Sequence, residues 1–124
     1  LRLDVLILDR IKGVFSEYAV SGPFAEFLVQ GGSPGRPLIL YTTSQELSER
    51  RRQVLQLGRV GRGQLWIYTY DPHVFAGSWV LRGWRLASVP QIAADLVALG
   101  TYADLGIELL RRWLDAGGGV PGSH

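Results

Sequence analysis

The stretch LILYTTSQE, residues 38–46, leads from an apolar strand into a capped helix. Its first five residues are mostly apolar and are bounded by turn residues, which is typical of a buried strand. Thr43 and Glu46 have the spacing of a capping box, in which each side chain accepts a hydrogen bond from the other residue's backbone N–H. We therefore expect a strand over 38–42 and then a helix to about Leu57. The helix positions expected to face the core are Leu47, Val54 and 55–57.

Strand and helix signals also alternate upstream of this stretch. Apolar residues at helical spacing predict a helix over 3–15, although the unbroken apolar run 5–8 fits a buried strand as well. The sequence EYAV, 17–20, predicts a short strand. Ser21 and Pro23 are then typical of a helix start, and the loop GGSPGRP follows that helix.

Downstream, aromatic and β-branched residues indicate further strands. The sequence QLWIYTY, 64–70, predicts one of them. The segments WVL and WRLAS flank Arg82 and Gly83. They predict a hairpin, because glycine tolerates the positive φ that a tight turn needs.

Two helices are predicted after this hairpin. Ser88 and Gln91 form a second capping box, which opens a helix that stops at Gly100. A last helix begins at Thr101, and we expect the two helices to pack side by side. The residues expected to form the contact are Ile92, Leu96, Leu105 and Leu109, and Trp113 shares the helix face of Leu105 and Leu109.

These elements predict an α/β (α+β) domain, with a small mixed β-sheet flanked by helices and a C-terminal helix pair. We expect one domain over residues 1–116 and a disordered tail over 117–124. Hydrophobic residues make up 47% of the 124 residues and charged residues 19%, as is typical of globular proteins. No apolar run reaches the length of about 18 residues that indicates a membrane span, so the protein is interpreted as cytoplasmic.

The chain offers few metal ligands. Cysteine is absent, which excludes disulfides, thiolate zinc sites and cysteine nucleophiles. The two histidines, His73 and His124, do not fall at ligand spacing. We therefore expect neither a metal site nor a cofactor.

A possible catalytic set lies in the stretch YTYDPHVFAGSW, where Asp71, His73 and Ser78 fall close together. A triad needs geometry as well as residue types, and its members usually come from separate loops. Asp71 and Pro72 directly follow a predicted strand, and aspartate before proline is typical of a turn. We interpret the stretch as a turn, with Phe75 inserted into the core and with no catalytic role.

Two nucleic-acid enzyme patterns are not matched. A restriction-type nuclease has an acidic residue two positions before a lysine, but Arg10 stands two positions before Lys12. A nucleotidyltransferase has Gly-Ser followed by paired carboxylates, but apolar residues follow Gly77 and Ser78. No intact catalytic motif is therefore predicted.

Arginines cluster between positions 50 and 62, while the net charge of the chain is only +2. They could contact DNA phosphates or an acidic partner through bidentate guanidinium groups. They could equally form a solvated face paired with Glu46 and Glu49. Both interpretations stay open. The residues concerned are Arg50, Arg51, Arg52, Arg59 and Arg62.

Four tryptophans could stack on nucleic-acid bases, but aromatic residues at strand and helix spacing usually belong to the core. We therefore assign them to the core. They are Trp66, Trp79, Trp84 and Trp113.

Three stretches of the chain resemble one bacterial family in their order and approximate spacing. They are YAVSGPFAEFL, YDPHVFAGS and LASVPQIAADLVALGTYADLGIELL, and they span roughly residues 15–114. They are similar to the effector half of AbiEi-like transcriptional regulators, the antitoxins of type IV toxin-antitoxin systems. The residues that match the family pattern are Tyr18, Ser21, Gly22, Ala25, Asp71, Pro72, Val74, Phe75, Pro90, Gln91, Asp95 and Leu96.

The resemblance implies a non-enzymatic role. In such regulators a winged helix binds operator DNA, and the C-terminal domain supports antitoxin activity against a nucleotidyltransferase-like toxin. Residues 1–15 are too short for a winged helix, so the resemblance implies an effector domain alone. The partners it implies are DNA, mainly through the winged helix, or a toxin protein, with a homodimer as a further expectation. The alternative is a degenerate nucleic-acid- or nucleotide-processing enzyme of nucleotidyltransferase-like or nuclease-like fold.

Overall fold

A mixed five-stranded sheet lies at the centre of the protein, so the predicted fold class is confirmed. The computed structural model describes residues 10–32, 35, 37–61, 64–70 and 75–119, and for 58–61 it describes the backbone alone. The strand order is β3-β2-β1-β5-β4. The strands are β1 (Tyr18–Ser21), β2 (Leu38–Thr42), β3 (Leu65–Thr69), β4 (Trp79–Leu81) and β5 (Trp84–Leu86).

Helices connect and cover these strands. Residues 10–14 are helical, and residues 3–9 of the helix predicted over 3–15 lie outside the described part. None of the described helices is long and apolar enough to cross a membrane. The remaining helices are α1 (Gly22–Gln30), α2 (Ser44–Glu49), α3 (Arg51–Gly61), α4 (Val89–Ala98) and α5 (Ala103–Asp115).

The central strand β1 explains why the sheet is mixed. It pairs antiparallel with β2, in a register that joins Tyr18 to Thr42, and parallel with β5. Strand β2 in turn pairs parallel with β3. The predicted hairpin joins β4 to β5 through Arg82 and Gly83, both with positive φ (53° and 80°), as a type I′ turn requires.

The single helix predicted after β2 is wrong, because the backbone turns at Arg50 and separates α2 from α3. The turn lies where the Arg50 Nε is 3.4 Å from the buried Glu46 carboxylate. Of the positions expected to face the core, Leu57 is buried, but Leu55 is 59% exposed.

The capping box at this helix start is only half formed. The Thr43 hydroxyl accepts from the Glu46 N–H at 3.1 Å, as predicted. The Glu46 carboxylate does not return to Thr43. Instead its Oε1 accepts from the Ser16 N–H at 2.6 Å, the Ser16 hydroxyl at 2.9 Å and the Glu17 N–H at 3.0 Å. Glu46 therefore ties the segment before β1 to the start of α2.

The second capping box departs from prediction in the same way. The Ser88 hydroxyl accepts from the Gln91 N–H at 3.3 Å, so α4 begins as expected. The Gln91 side-chain amide, however, donates to Tyr41 and Asp95 instead of returning to the cap. In both boxes a tertiary partner replaces the local one.

The C-terminal helices α4 and α5 pack side by side, as predicted, but at a different contact. Leu109 and Leu96 are buried, whereas Leu105 is 41% exposed, so its predicted place at the interface is wrong. Gly106 lies at the crossing instead. A Cβ at this position would lie 2.7 Å from the Ala93 carbonyl oxygen, so only glycine allows this close approach.

The close contact of Gly106 on α5 with Ala93 on α4 predicts a stability change. Gly106→Val should destabilise the protein by about 1–3 kcal/mol, because the new side chain would press on the Ala93 backbone. Urea unfolding followed by circular dichroism measures the change. Ile107→Val is the matched control, since Ile107 is half exposed on the same helix. An equal unfolding midpoint for both variants would contradict the close approach of α4 and α5 at Gly106.

The Glu46 contacts predict a pH dependence. Burial opposes ionisation of Glu46, but the N–H groups of Glu17 and Ser16, the Ser16 hydroxyl and the Arg50 charge outweigh it and lower the pKa. A carboxyl whose pKa is lower in the folded state contributes stability above its unfolded pKa and loses it in acid. That contribution should be complete above pH 4.5 and should fall as the pH drops below it.

Glu46→Gln should therefore flatten the loss of stability below pH 4.5. Urea unfolding at several pH values measures this slope. Glu49→Gln, at an exposed position of the same helix, is the control and should keep the slope of the natural chain. The same acid slope in all three proteins would show that the Glu46 contacts do not favour its charged form.

Candidate functional site

Four polar side chains meet between β1, β2 and α4, and we call them the Asp95 cluster: Ser21, Tyr41, Gln91 and Asp95. The Ser21 hydroxyl donates to Asp95 Oδ2 at 2.6 Å, and the Tyr41 hydroxyl donates to the same oxygen at 2.7 Å. The Gln91 amide donates to Asp95 Oδ1 at 3.1 Å and to the Tyr41 oxygen at 3.2 Å. The carboxylate thus joins two strands to a helix.

The local sequence explains how the cluster forms. Ser21 ends β1 at the N-cap of α1, but its hydroxyl makes no cap hydrogen bond because it faces Asp95. Gly22 follows with φ 70°, and a Cβ there would lie 2.8 Å from the Ile39 side chain. On α4, Gln91 and Asp95 are four residues apart and share one face of the helix.

The electrostatics of the cluster keep the Tyr41 hydroxyl protonated. Burial raises the pKa of Tyr41 well above its ordinary value, and the hydrogen bond to Asp95 raises it further. The Ser21 side chain is fully buried, so a substrate cannot reach its oxygen. A nucleophile must reach its substrate, so this arrangement does not suit Ser21 as a nucleophile. It suits a fixed network of hydrogen-bond donors and acceptors.

An aromatic cleft of about 500 Å³ lies beside the Asp95 cluster. Trp66 and Tyr68 alternate along the edge strand β3, and Tyr70 follows the strand and donates its N–H to the Thr42 carbonyl at 3.0 Å. Their exposures of 39–44% are high for large aromatic side chains. The residues that line this cleft are Ile39, Tyr41, Trp66, Tyr68, Tyr70, Asp95, Ala98 and Leu99.

The assignment of all four tryptophans to the core is therefore wrong for Trp66. Trp84 is buried, and Trp79 and Trp113 pack against the core. Trp66 is 39% exposed, and its strand β3 lies at one edge of the sheet formed by the described strands. The alternation of aromatics at 66, 68 and 70 was the available signal for an open aromatic face.

The predicted arginine cluster is only partly described. Arg50 approaches Glu46, but Glu46 is buried, so this pair differs from the solvated pair of the second interpretation. Arg51 and Arg52 are exposed on α3. The side chain of Arg59 and all of Arg62 lie outside the described residues. A second cleft, of about 390 Å³, lies between residues 10–14 and α3. It is lined by Arg10, Gly13, Val14, Gln53, Gln56 and Leu57.

The stretch around His73 is described only at its end. Asp71, Pro72 and His73 lie outside the described residues, so the predicted turn stays a prediction. The Ser78 hydroxyl accepts from the Arg85 guanidinium at 3.1 Å, and Phe75 is half buried against the core. Among the described residues, no three His, Cys, Asp or Glu side chains could hold a metal ion together.

Two other predicted motif residues help to position the cluster. Pro90 lies in the first turn of α4, where proline is tolerated because that N–H lacks a helical partner. Gly22 allows the turn from β1 into α1.

The tail predicted over 117–124 begins with a turn in which the Gly119 carbonyl accepts from the Trp113 indole at 2.6 Å, and residues 120–124 lie outside the described part.

The Asp95 cluster predicts a stability loss. Asp95→Ala should cost about 1–3 kcal/mol for each buried hydroxyl left without an acceptor, here those of Ser21 and Tyr41. Urea unfolding measures it, and Asp95→Asn should lose less because one acceptor oxygen remains. Asp115→Ala, at an exposed position of α5, is the control. A loss no larger than that of the control would mean that the cluster does not support the fold.

Comparison with known protein families, with curated proteins and with solved structures gives no match. The functional proposal therefore rests on the geometry of the Asp95 cluster and the aromatic cleft, together with the resemblance carried by the sequence.

Proposed function

We propose that this chain is a non-enzymatic effector domain of an AbiEi-like bacterial transcriptional regulator and antitoxin, and that it acts by binding a toxin protein. The observation that carries the proposal is that two motif residues, Ser21 and Gln91, donate hydrogen bonds to a third, Asp95. Because these side chains bond to one another in the fold, they hold the surface beside them in shape. This role suits a binding surface rather than a reaction.

The internal hydrogen bonds of the cluster support the same role. Both oxygens of Asp95 already accept hydrogen bonds, and the two hydroxyls that could act as nucleophiles are buried. A catalytic carboxylate needs contact with the reacting group. The open aromatic cleft beside the cluster instead offers a surface on which aromatic side chains commonly anchor a partner.

DNA recognition in such regulators belongs to a winged helix. Within the predicted arginine cluster, Arg51 and Arg52 are exposed and available for DNA phosphates or an acidic partner surface. Their contribution should be secondary, because Arg50 approaches Glu46 and the net charge of the chain is only +2.

The proposal is tested by co-expressing the chain in bacteria with a nucleotidyltransferase-like type IV toxin. We expect restored growth and a stable complex of the two proteins in gel filtration. Val80→Ala, on the opposite edge strand β4, should behave like the natural chain.

A catalytic role makes the opposite prediction. The purified chain would convert labelled nucleotides or RNA in the presence of magnesium or manganese, and Asp95→Asn would abolish this turnover while the protein stays folded. That result, or restored growth without any complex, would contradict the binding role.

A further inference from the structure

We propose that the aromatic cleft binds an organic cation, the guanidinium group of an arginine side chain presented by a partner protein. The inference rests on the proposed partner-binding role for its biological setting. Its chemistry follows from the side chains that line the cleft, and it can be tested without the toxin.

The walls of the cleft suit a cation. Tyr41 and Tyr70 meet edge to face, with ring centroids 4.6 Å apart and planes at 86°, and the Tyr68 ring lies 5.9 Å from Tyr41. Trp66 adds a fourth aromatic side chain. Aromatic faces attract cations, and arginine also stacks flat on them, so rings inclined to one another can contact a planar guanidinium from more than one side.

The charge of the cleft selects the same ligand. Asp95 is the only charged residue among the described residues that line it, and none of them is basic. The carboxylate accepts three hydrogen bonds within the cluster, while it has about four acceptor sites, so Oδ1 can accept one more. A guanidinium N–H is a strong donor for that oxygen, whereas a phosphate would be repelled.

The size of the cleft fits one long side chain. Its volume of about 500 Å³ lies within the range of pockets that enclose small ligands. Ile39, Ala98 and Leu99 supply apolar contacts for the methylene groups of an arginine stem. The rings and the carboxylate can then contact its charged end.

The binding test uses N-acetyl-L-argininamide, with N-acetyl-L-citrullinamide as a neutral probe of the same shape and adenosine monophosphate as an anionic aromatic probe. Titration of the isotope-labelled chain, followed by nuclear magnetic resonance, reports both affinity and location. We expect saturable shifts at residues 66–70 and 95–99 with the arginine probe, roughly tenfold tighter binding than for citrulline, and no comparable binding of the nucleotide.

Two variants separate the carboxylate from the rings. Asp95→Asn should weaken arginine binding roughly tenfold and abolish the preference over citrulline. Tyr68→Ala removes an exposed wall of the cleft but none of the hydrogen bonds of the Asp95 cluster, and it should weaken binding roughly two- to fivefold. Val80→Ala, exposed on the opposite edge of the sheet, should leave the affinity unchanged.

The proposal is overturned by equal binding of arginine and citrulline, by preferred binding of the nucleotide, or by an absence of saturable shifts at the highest soluble arginine concentration. Unchanged affinity in the folded Tyr68→Ala variant would also overturn it. Growth restored by the natural chain alongside any of these results would keep the antitoxin role and reject only the arginine ligand.

Discussion

The hydrogen bonds to the Asp95 carboxylate are the interactions on which the rest of the structure depends. Asp95 lies on α4 but accepts hydrogen bonds from β1 through Ser21 and from β2 through Tyr41. Strand β1 is the central strand, so this one group fixes the helix layer against the middle of the sheet. Asp95 is partly buried, and the hydrogen bonds from Ser21, Tyr41 and Gln91 offset the cost of removing its carboxylate from water.

The same network determines the shape of the surface beside it. Tyr41 belongs both to the Asp95 cluster and to the floor of the aromatic cleft, and its ring contacts Tyr68 and Tyr70. Because the Tyr41 hydroxyl is held by two partners, its ring has a fixed orientation. The cleft is therefore preorganised, which lowers the entropic cost of binding.

Local patterns predicted the elements of this fold well. The bounds of β2, the hairpin at Arg82 and Gly83, and the start of α4 at Ser88 all follow from short-range rules of burial, turn geometry and capping. The errors arise where a distant partner competes with a local one. Glu46 and Gln91 have capping-box spacing, but Ser16 and Tyr41 lie close to them only after the chain has folded.

The Asp95 cluster could not be predicted for the same reason. Spacing along one helix relates Gln91 to Asp95, but nothing local indicates that Ser21 or Tyr41 will approach them. Likewise, Trp66 and Trp84 both fit a strand pattern, and only the order of the strands decides which of them is covered.

The central position of β1 also makes folding a late event during synthesis. Its parallel partner β5 and the Asp95 acceptor, 74 residues beyond Ser21, leave the ribosome long after β1 does. Until then the apolar residues of β1 lack their neighbour on one side, so the nascent chain is exposed to misassociation while the residues between Ser21 and Asp95 are synthesised.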